Sequence, residues 1–166
     1  MLIEDLNFRV VGPRLTHAEL NQAEVYFGVS FPDDYRRFLL HHNGGYTSTW
    51  TKCTTPYVAI GAWHSIVGEK HLDRTNGLDS LTSLIHSNER LRAEFPALGD
   101  FMCIADDYAS RLLVYKLRGP GLFRLGLWDW ELEWMQAITL PFESLSDLLT
   151  RCVAADNPYD ESDAQG

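Results

Sequence analysis

The six histidines and three cysteines of this 166-residue chain are its main candidates for metal binding or proton transfer. His41 and His42 are adjacent, so on a helix they point in different directions and cannot share a metal as residues four apart do. His64 and His71 fall in a predicted loop, where solvated side chains are the simpler interpretation. The motifs H-E-x-x-H and G-x-S-x-G and the phosphate-binding P-loop do not occur. The sequence therefore predicts no metal and no cofactor.

The cysteines do not form a recognisable catalytic or structural set. Cys53, Cys103 and Cys152 lie about fifty residues apart, which is neither a disulfide framework nor a C-x-x-C zinc pattern. Lys52 precedes Cys53, but no partner base can be identified, so a catalytic cysteine is not predicted. We therefore expect a protein that is not an enzyme and has no catalytic residues.

Asp106 and Asp107 are the most concentrated acidic pair, and two interpretations remain open for them. Functionally they are paired carboxylates or part of a partner surface; otherwise they are turn residues whose side chains bind nearby backbone amides. The turn interpretation is favoured for Asp106, because a predicted strand ends just before it.

The five tryptophans also allow two interpretations. Trp128 and Trp130 lie two residues apart and share one face of a regular strand, which favours packing in the core. The alternative is an exposed binding surface, since tryptophan is enriched at interface hot spots, with an acidic rim around it. The candidate partner-binding residues are Trp50, Trp63, Asp106, Asp107, Trp128, Asp129, Trp130, Glu131 and Glu133.

The net charge of −9 limits the kind of partner. Binding to a nucleic-acid backbone needs basic patches, so direct nucleic-acid binding is not expected. An acidic body is compatible with a basic protein partner, because opposite charges speed the encounter. Solubility alone is the other explanation of this charge.

Length and hydropathy predict one domain over residues 1–155, followed by an acidic tail at 156–166 that we expect to be disordered. There is no run of about 18 apolar residues, so no membrane association is expected. The first residues, MLIEDLNFRV, lack the pattern of a secretory signal, which predicts a cytoplasmic protein. A monomer or weak dimer is expected.

Residues 15–45 predict two short helices. Thr16 and Glu19 form a T-x-x-E capping box, and Gly28 supplies a left-handed stop for the first helix. The second helix begins near Pro32 and ends in the N-G-G sequence that follows its two histidines.

After the second helix the sequence predicts a sheet and two more helices. A middle helix is predicted at 78–95, capped by Asp79 or Ser80, and a closing helix begins at Pro141 and carries Cys152 on its inner stripe. This order predicts an α+β fold in a single domain, with a central, mainly antiparallel sheet, two N-terminal helices, one middle helix and one C-terminal helix. The intervening segments are a Thr-rich loop at 47–56, a polar turn at 106–110, and strands at 57–60, 101–105, 111–117, 122–128 and 130–138.

Several of these segments resemble one family in order. Seven segments, in this order, are similar to the SUKH superfamily. Those near the start are L-T-x-x-E-L, G-V-x-F-P-x-D-Y-R-R-F-L-L and N-G-G, and those further on are I-A-D-D, L-L-V-Y, L-W-D-W-E and P-F-E-S-L. The resemblance spans about residues 15–151. The chain departs from the family at 107–110, where a glycine-rich turn is usual, and at Pro141, where a capping serine is usual; Thr139 is then the expected cap.

The resemblance implies a SUKH-like fold and a role in binding proteins. The superfamily contains Smi/Knr-like regulators of fungal cell-wall assembly and bacterial immunity proteins. It therefore implies an immunity protein that neutralises a cognate polymorphic toxin by stoichiometric binding. The implied partner is a basic toxin domain, such as a nuclease or another toxin that modifies nucleic acid. The alternative is a non-enzymatic regulator or adaptor with several partners.

Overall fold

The computed structural model describes residues 1–66, 83–107, 111–129, 131–132 and 138–155. In it, local sequence signals begin and end the first helix, α1 (His17–Phe27). The Thr16 hydroxyl accepts the Glu19 N–H, and the Glu19 carboxylate accepts the Thr16 N–H at 2.8 Å. Gly28 ends the helix in the left-handed conformation, with φ of 70°. The predicted capping box and stop are both confirmed.

The second helix, α2 (Asp33–His42), also follows its prediction. Pro32 is its N-cap, and Asn43 ends it in the left-handed conformation with φ of 47°. The buried face is aromatic and aliphatic and consists of Tyr35, Phe38 and Leu39. Because these side chains are fully buried, this part of the family signature serves packing.

An eight-stranded antiparallel sheet occupies the centre of the fold. Its order is β1-β2-β3-β4-β5-β6-β7, and β8 pairs with β2 outside this path. Strand β2 is ten residues long, so it can pair with β1 near its start and with β8 near its end. The strands are β1 Phe8–Val11, β2 Gly45–Thr54, β3 Tyr57–Trp63, β4 Phe101–Asp107, β5 Arg111–Lys116, β6 Leu125–Asp129, β7 Ile138–Phe142 and β8 Cys152–Ala155.

Helices pack on both faces of this sheet. The larger core lies beneath α1, α2 and the last helix, α4 (Leu145–Arg151), and includes Ile104 and Leu113. The smaller core, with Cys103 and Val114, lies beneath α3 (Leu84–Glu94) and the short 3-10 helix at Pro96–Asp100. Neighbouring residues of one strand thus belong to different cores, as expected from the alternation of side chains along a strand.

The α+β class and the antiparallel sheet are confirmed. Three predictions are wrong: the loop at 47–56, the turn position of Asp106 and the start of the closing helix. The predicted loop at 47–56 is mostly strand β2, because its threonines and Trp50 fit a half-buried pleated surface. Asp106 lies within β4 and not in a turn.

The closing helix begins at Leu145 and not at Pro141, which lies in the edge strand β7. Its cap is Ser144, whose hydroxyl accepts the Asp147 N–H at 3.0 Å, so the expected cap at Thr139 is wrong. Cys152 begins β8, which the sequence did not predict, and β1 was also missed.

Some predictions fall outside the described residues. These are residues 108–110 of the predicted turn, the loop position of His71, the start of the middle helix with its expected caps Asp79 and Ser80, most of the strand at 130–138, and the tail at 156–166. In the described part, Ser83 caps α3, and its hydroxyl accepts the His86 N–H at 3.4 Å.

Gly126 generates a prediction, because β7 approaches its backbone closely. A Cβ atom at this position would lie 1.8 Å from the Thr139 carbonyl oxygen. We expect Gly126→Ala to lower the free energy of unfolding by about 3 kcal/mol, since the strands must separate to admit the methyl group. Urea titration measures the loss.

Gly99→Ala is the matched control, because no atom lies within 4 Å of a Cβ built there. We expect it to change stability by no more than about 0.5 kcal/mol. Equal stability of the two variants would contradict the packing described between β6 and β7.

Candidate protein-binding surface

The structure buries the three candidate tryptophans that it describes. Trp63 has 0% of its surface exposed, Trp128 2% and Trp50 8%. The Trp63 ring lies 4.9 Å from the Phe38 ring in the larger core, and Trp128 meets Phe95 edge-on at 4.8 Å in the smaller one. The interpretation of these rings as an exposed surface is therefore wrong, because Trp63 and Trp128 each fill a core and Trp50 is buried as well. Trp130 and Glu133 lie outside the described residues.

Asp107 is a structural residue and not part of an open surface. Its side chain has 0% exposure. One carboxylate oxygen accepts the Ala59 N–H at 2.8 Å, and the other accepts the Arg111 Nε–H at 2.8 Å. Arg111 also donates to the Tyr57 carbonyl oxygen at 2.7 Å. This pair therefore joins β3, β4 and β5 at one end of the sheet, and the expected surface role of Asp107 is corrected.

Asp106 pairs instead with His64, which the sequence placed in a solvated loop. His64 Nε2 lies 3.3 Å from the Asp106 carboxylate, and the side-chain exposures are 2% for His64 and 40% for Asp106. Burial by itself lowers the pKa of His64, but the nearby Cys103 and the hydrogen bond that His64 donates to the Asp106 carboxylate outweigh it and raise the pKa to about 10. The expectation of a solvated His64 is wrong.

This pair has a cysteine neighbour, yet its geometry suits structure and not nucleophilic chemistry. Cys103 is buried, and this burial raises the pKa of its thiol above the ordinary value of 9.0. Its sulfur contacts the Ala105 carbonyl oxygen at 3.8 Å. A nucleophilic cysteine needs the opposite, a lowered pKa and access to substrate.

One end of the sheet presents an exposed acidic and aromatic surface. Arg111 of β5 lies opposite Asp107 of β4 and Asp129 of β6, and it also binds the first residue of β3. The accessible residues at this end define the strand-end surface, which consists of the exposed Tyr57, Glu131 and Leu132 and the half-buried Asp129.

The strand-end surface combines accessible apolar area with carboxylates. Tyr57 is 48% exposed and Leu132 49%. Asp129 accepts the Glu131 N–H at 3.0 Å, which fixes the turn that follows β6. Among the described residues, neither carboxylate forms an ion pair, while Arg111 is already bound to Asp107. The surface therefore offers negative charge and an aromatic ring at the same end of the sheet.

Sequence reasoning identified Asp129 and Glu131 but missed Tyr57 and Leu132. The signal for Tyr57 was its position at the start of a strand, one residue before the buried Val58, because side chains of successive strand residues alternate between faces. Lys52 completes this neighbourhood, with its ammonium group 5.8 Å from the centre of the Tyr57 ring.

Other classes of site receive no support from the described part of the chain. Within those residues no three His, Cys, Asp or Glu side chains are grouped so that they could hold a metal ion. None of the described helices reaches the length and hydrophobicity that crossing a bilayer requires.

The fold defines an α+β protein built on an antiparallel sheet. Comparison with known families is consistent with this class, since the model of the SMI1 / KNR4 family (SUKH-1) matches residues 14–151. The chain belongs to this family of immunity and regulatory proteins. No curated protein and no solved structure matches it.

The Asp107–Arg111 pair generates a prediction about stability. Arg111→Met leaves the buried Asp107 carboxylate without its cation, so we expect the free energy of unfolding to fall by about 3 kcal/mol. The double variant Arg111→Met/Asp107→Asn keeps an acceptor for the Ala59 N–H but removes the charge, and we expect it to regain part of the loss. Urea titration of the wild type, the two single variants and the double variant measures the coupling. Additive losses would contradict the pairing.

The raised pKa of His64 predicts a dependence of stability on pH. Because the folded-state pKa of about 10 exceeds the ordinary 6.5, the stabilisation is fully present below pH 6.5 and is lost as the pH rises through 10. We expect Asp106→Asn to lower the pKa of His64 and to flatten this dependence. NMR titration of the imidazole measures the pKa, and urea titration across the same pH range measures stability.

His17→Gln is the control, since this exposed histidine lies on α1, away from Asp106. It should leave the pKa of His64 unchanged. A wild-type His64 that titrates below 6.5 would contradict the pairing with Asp106.

Proposed function

We propose that this protein is an immunity protein that binds a cognate toxin through the strand-end surface and neutralises it stoichiometrically. Membership of a family of immunity and regulatory proteins supports a protein partner. The observation that carries the surface assignment is the exposure of Tyr57 at the same end of the sheet as Asp129 and Glu131, whose charges no described cation pairs.

The charge of the surface selects the chemistry of the partner. Two carboxylates at the same end of the sheet as a half-exposed tyrosine suit a partner with several basic side chains, of which some meet the carboxylates while apolar parts of the partner cover the ring. Enzymes that act on nucleic acids carry patches of such basic side chains to bind phosphates. Occupying the patch would keep the nucleic acid out, so binding alone is sufficient for neutralisation.

The location follows from this proposal. A toxin that acts on nucleic acid inside the producing cell must be met in the cytoplasm, so the immunity protein acts there, as a monomer or weak dimer that pairs with one toxin domain. Asp106 is not part of this surface, because its carboxylate already pairs with His64.

The proposal predicts that surface variants weaken toxin binding without unfolding the protein. The probe is the toxin domain encoded beside the gene, titrated calorimetrically. We expect Tyr57→Ala and Glu131→Gln each to weaken binding by about tenfold or more, because central aromatic and charged contacts dominate interfaces. We also expect the double variant Asp129→Asn/Glu131→Gln to reduce the salt dependence of binding.

Glu94→Gln is the matched control, since this exposed carboxylate lies at the end of α3, which packs on the other side of the strand layer from α1 and α2. It should leave affinity within about twofold. Unchanged affinity in all surface variants would reject the surface. Lack of protection on co-expression, together with lack of binding to any neighbouring toxin domain, would reject the immunity function and leave a regulatory role.

A further inference from the structure

The fold brings together two cysteines that are about a hundred residues apart in the sequence. Cys53 lies in β2 and Cys152 begins β8, and the two residues are direct partners in the antiparallel pairing of these strands. Both belong to the larger core, so both side chains lie on the same face of the sheet. The sequence pattern gave no sign of this pair, because only the pairing of β8 with β2 creates it.

The position of the pair matches the requirements of a disulfide. Directly opposite residues of antiparallel strands have Cα atoms about 4.5–5.5 Å apart, and a disulfide spans about 4.4–6.8 Å. Both residues are free thiols in this structure. The Cys53 thiol donates to the Arg151 carbonyl oxygen at 3.2 Å, which places its sulfur beside the backbone that enters Cys152.

The surroundings keep the thiols reduced until the edge of the sheet opens. Cys53 is 1% exposed and Cys152 3%. Burial and the neighbouring Cys53 thiol raise the pKa of Cys152, so the reactive thiolate is scarce in the closed protein. Strand β8 is four residues long, pairs with β2 alone among the described strands, and exposes 61% of Val153. Short edge elements of this kind open locally more readily than the core does.

We propose that Cys53 and Cys152 form a reversible disulfide that locks β8 onto β2 when the protein meets a peroxide oxidant. In the first step the Cys152 thiolate attacks one peroxide oxygen and the O–O bond breaks. The sulfur becomes a sulfenic acid, and the released hydroxide takes the thiol proton to form water. In the second step Cys53 sulfur attacks the sulfenic sulfur, and the hydroxyl leaves as a second water with the proton of Cys53. Two thiols are oxidised and one peroxide is reduced.

The consequence is a redox-dependent edge of the sheet. The disulfide closes a loop of about a hundred residues, which reduces the entropy of the unfolded chain. It also fixes the pairing between Trp50 and Ala155, at the far end of β8. Oxidation thus stabilises the strand that leads into the acidic segment at 156–166.

The test treats the full-length protein with hydrogen peroxide and maps its peptides by mass spectrometry. We expect a monomer that has lost two hydrogen atoms, one linked peptide pair containing Cys53 and Cys152, reversal by dithiothreitol, and a higher Tm than the reduced form. Cys152→Ser and Cys53→Ser should each abolish the link. Cys103→Ser, which changes a buried cysteine of the smaller core, should leave it intact.

If Cys53→Ser fails to fold, Cys152→Ser alone shows whether the link requires this pair. Cys152 begins the edge strand β8, so we expect its replacement to disturb folding less. The reaction is repeated in urea below the unfolding transition, where β8 opens. Absence of the link under both conditions, a link that includes Cys103, or oxidation of single cysteines beyond sulfenic acid with no link would each overturn the proposal. None of these outcomes bears on toxin binding, which the surface variants test separately.

Discussion

The buried carboxylate of Asp107 is the constraint on which the end of the sheet depends. A carboxylate without solvent must have its acceptor positions filled, and here the Ala59 N–H and the Arg111 guanidinium fill them. By binding the Tyr57 carbonyl oxygen as well, Arg111 fixes the start of β3 beside the ends of β4 and β6. The Asp107–Arg111 pair contributes little negative charge to the surface. It does, however, hold the strand end where Asp129 lies opposite Arg111.

The rest of the architecture explains why the candidate surface is acidic and contains few aromatic rings. A sheet covered on both faces needs large apolar side chains on both, and the tryptophans supply them. Trp63 fills the core beneath α2, and Trp128 fills the one beneath α3. The exposed end of the sheet is then left to Tyr57 and the carboxylates of Asp129 and Glu131.

The sequence predicted best what depends on neighbouring residues. The predicted capping box at Thr16 and the predicted glycine stop of α1 are both confirmed, because each depends only on residues within one helical turn. Strands β1 and β8 were missed, since each is held by pairing with β2, which is distant in the sequence. At the candidate surface, the sequence analysis named Glu131 as a candidate because it is an acidic neighbour of the tryptophans. It did not predict that Asp106 and Asp107 end strand β4, because two adjacent aspartates after an apolar run are equally typical of a turn.

Hydrogen–deuterium exchange on the complex with the neighbouring toxin domain tests most directly whether the strand-end surface is the partner interface. Amide exchange reports the backbone groups that a partner covers. We expect slower exchange in the complex at Tyr57 and at residues 129–132, with α3 unchanged. Slower exchange confined to α3, or to the exposed face of α1 around Val25, would contradict this interface.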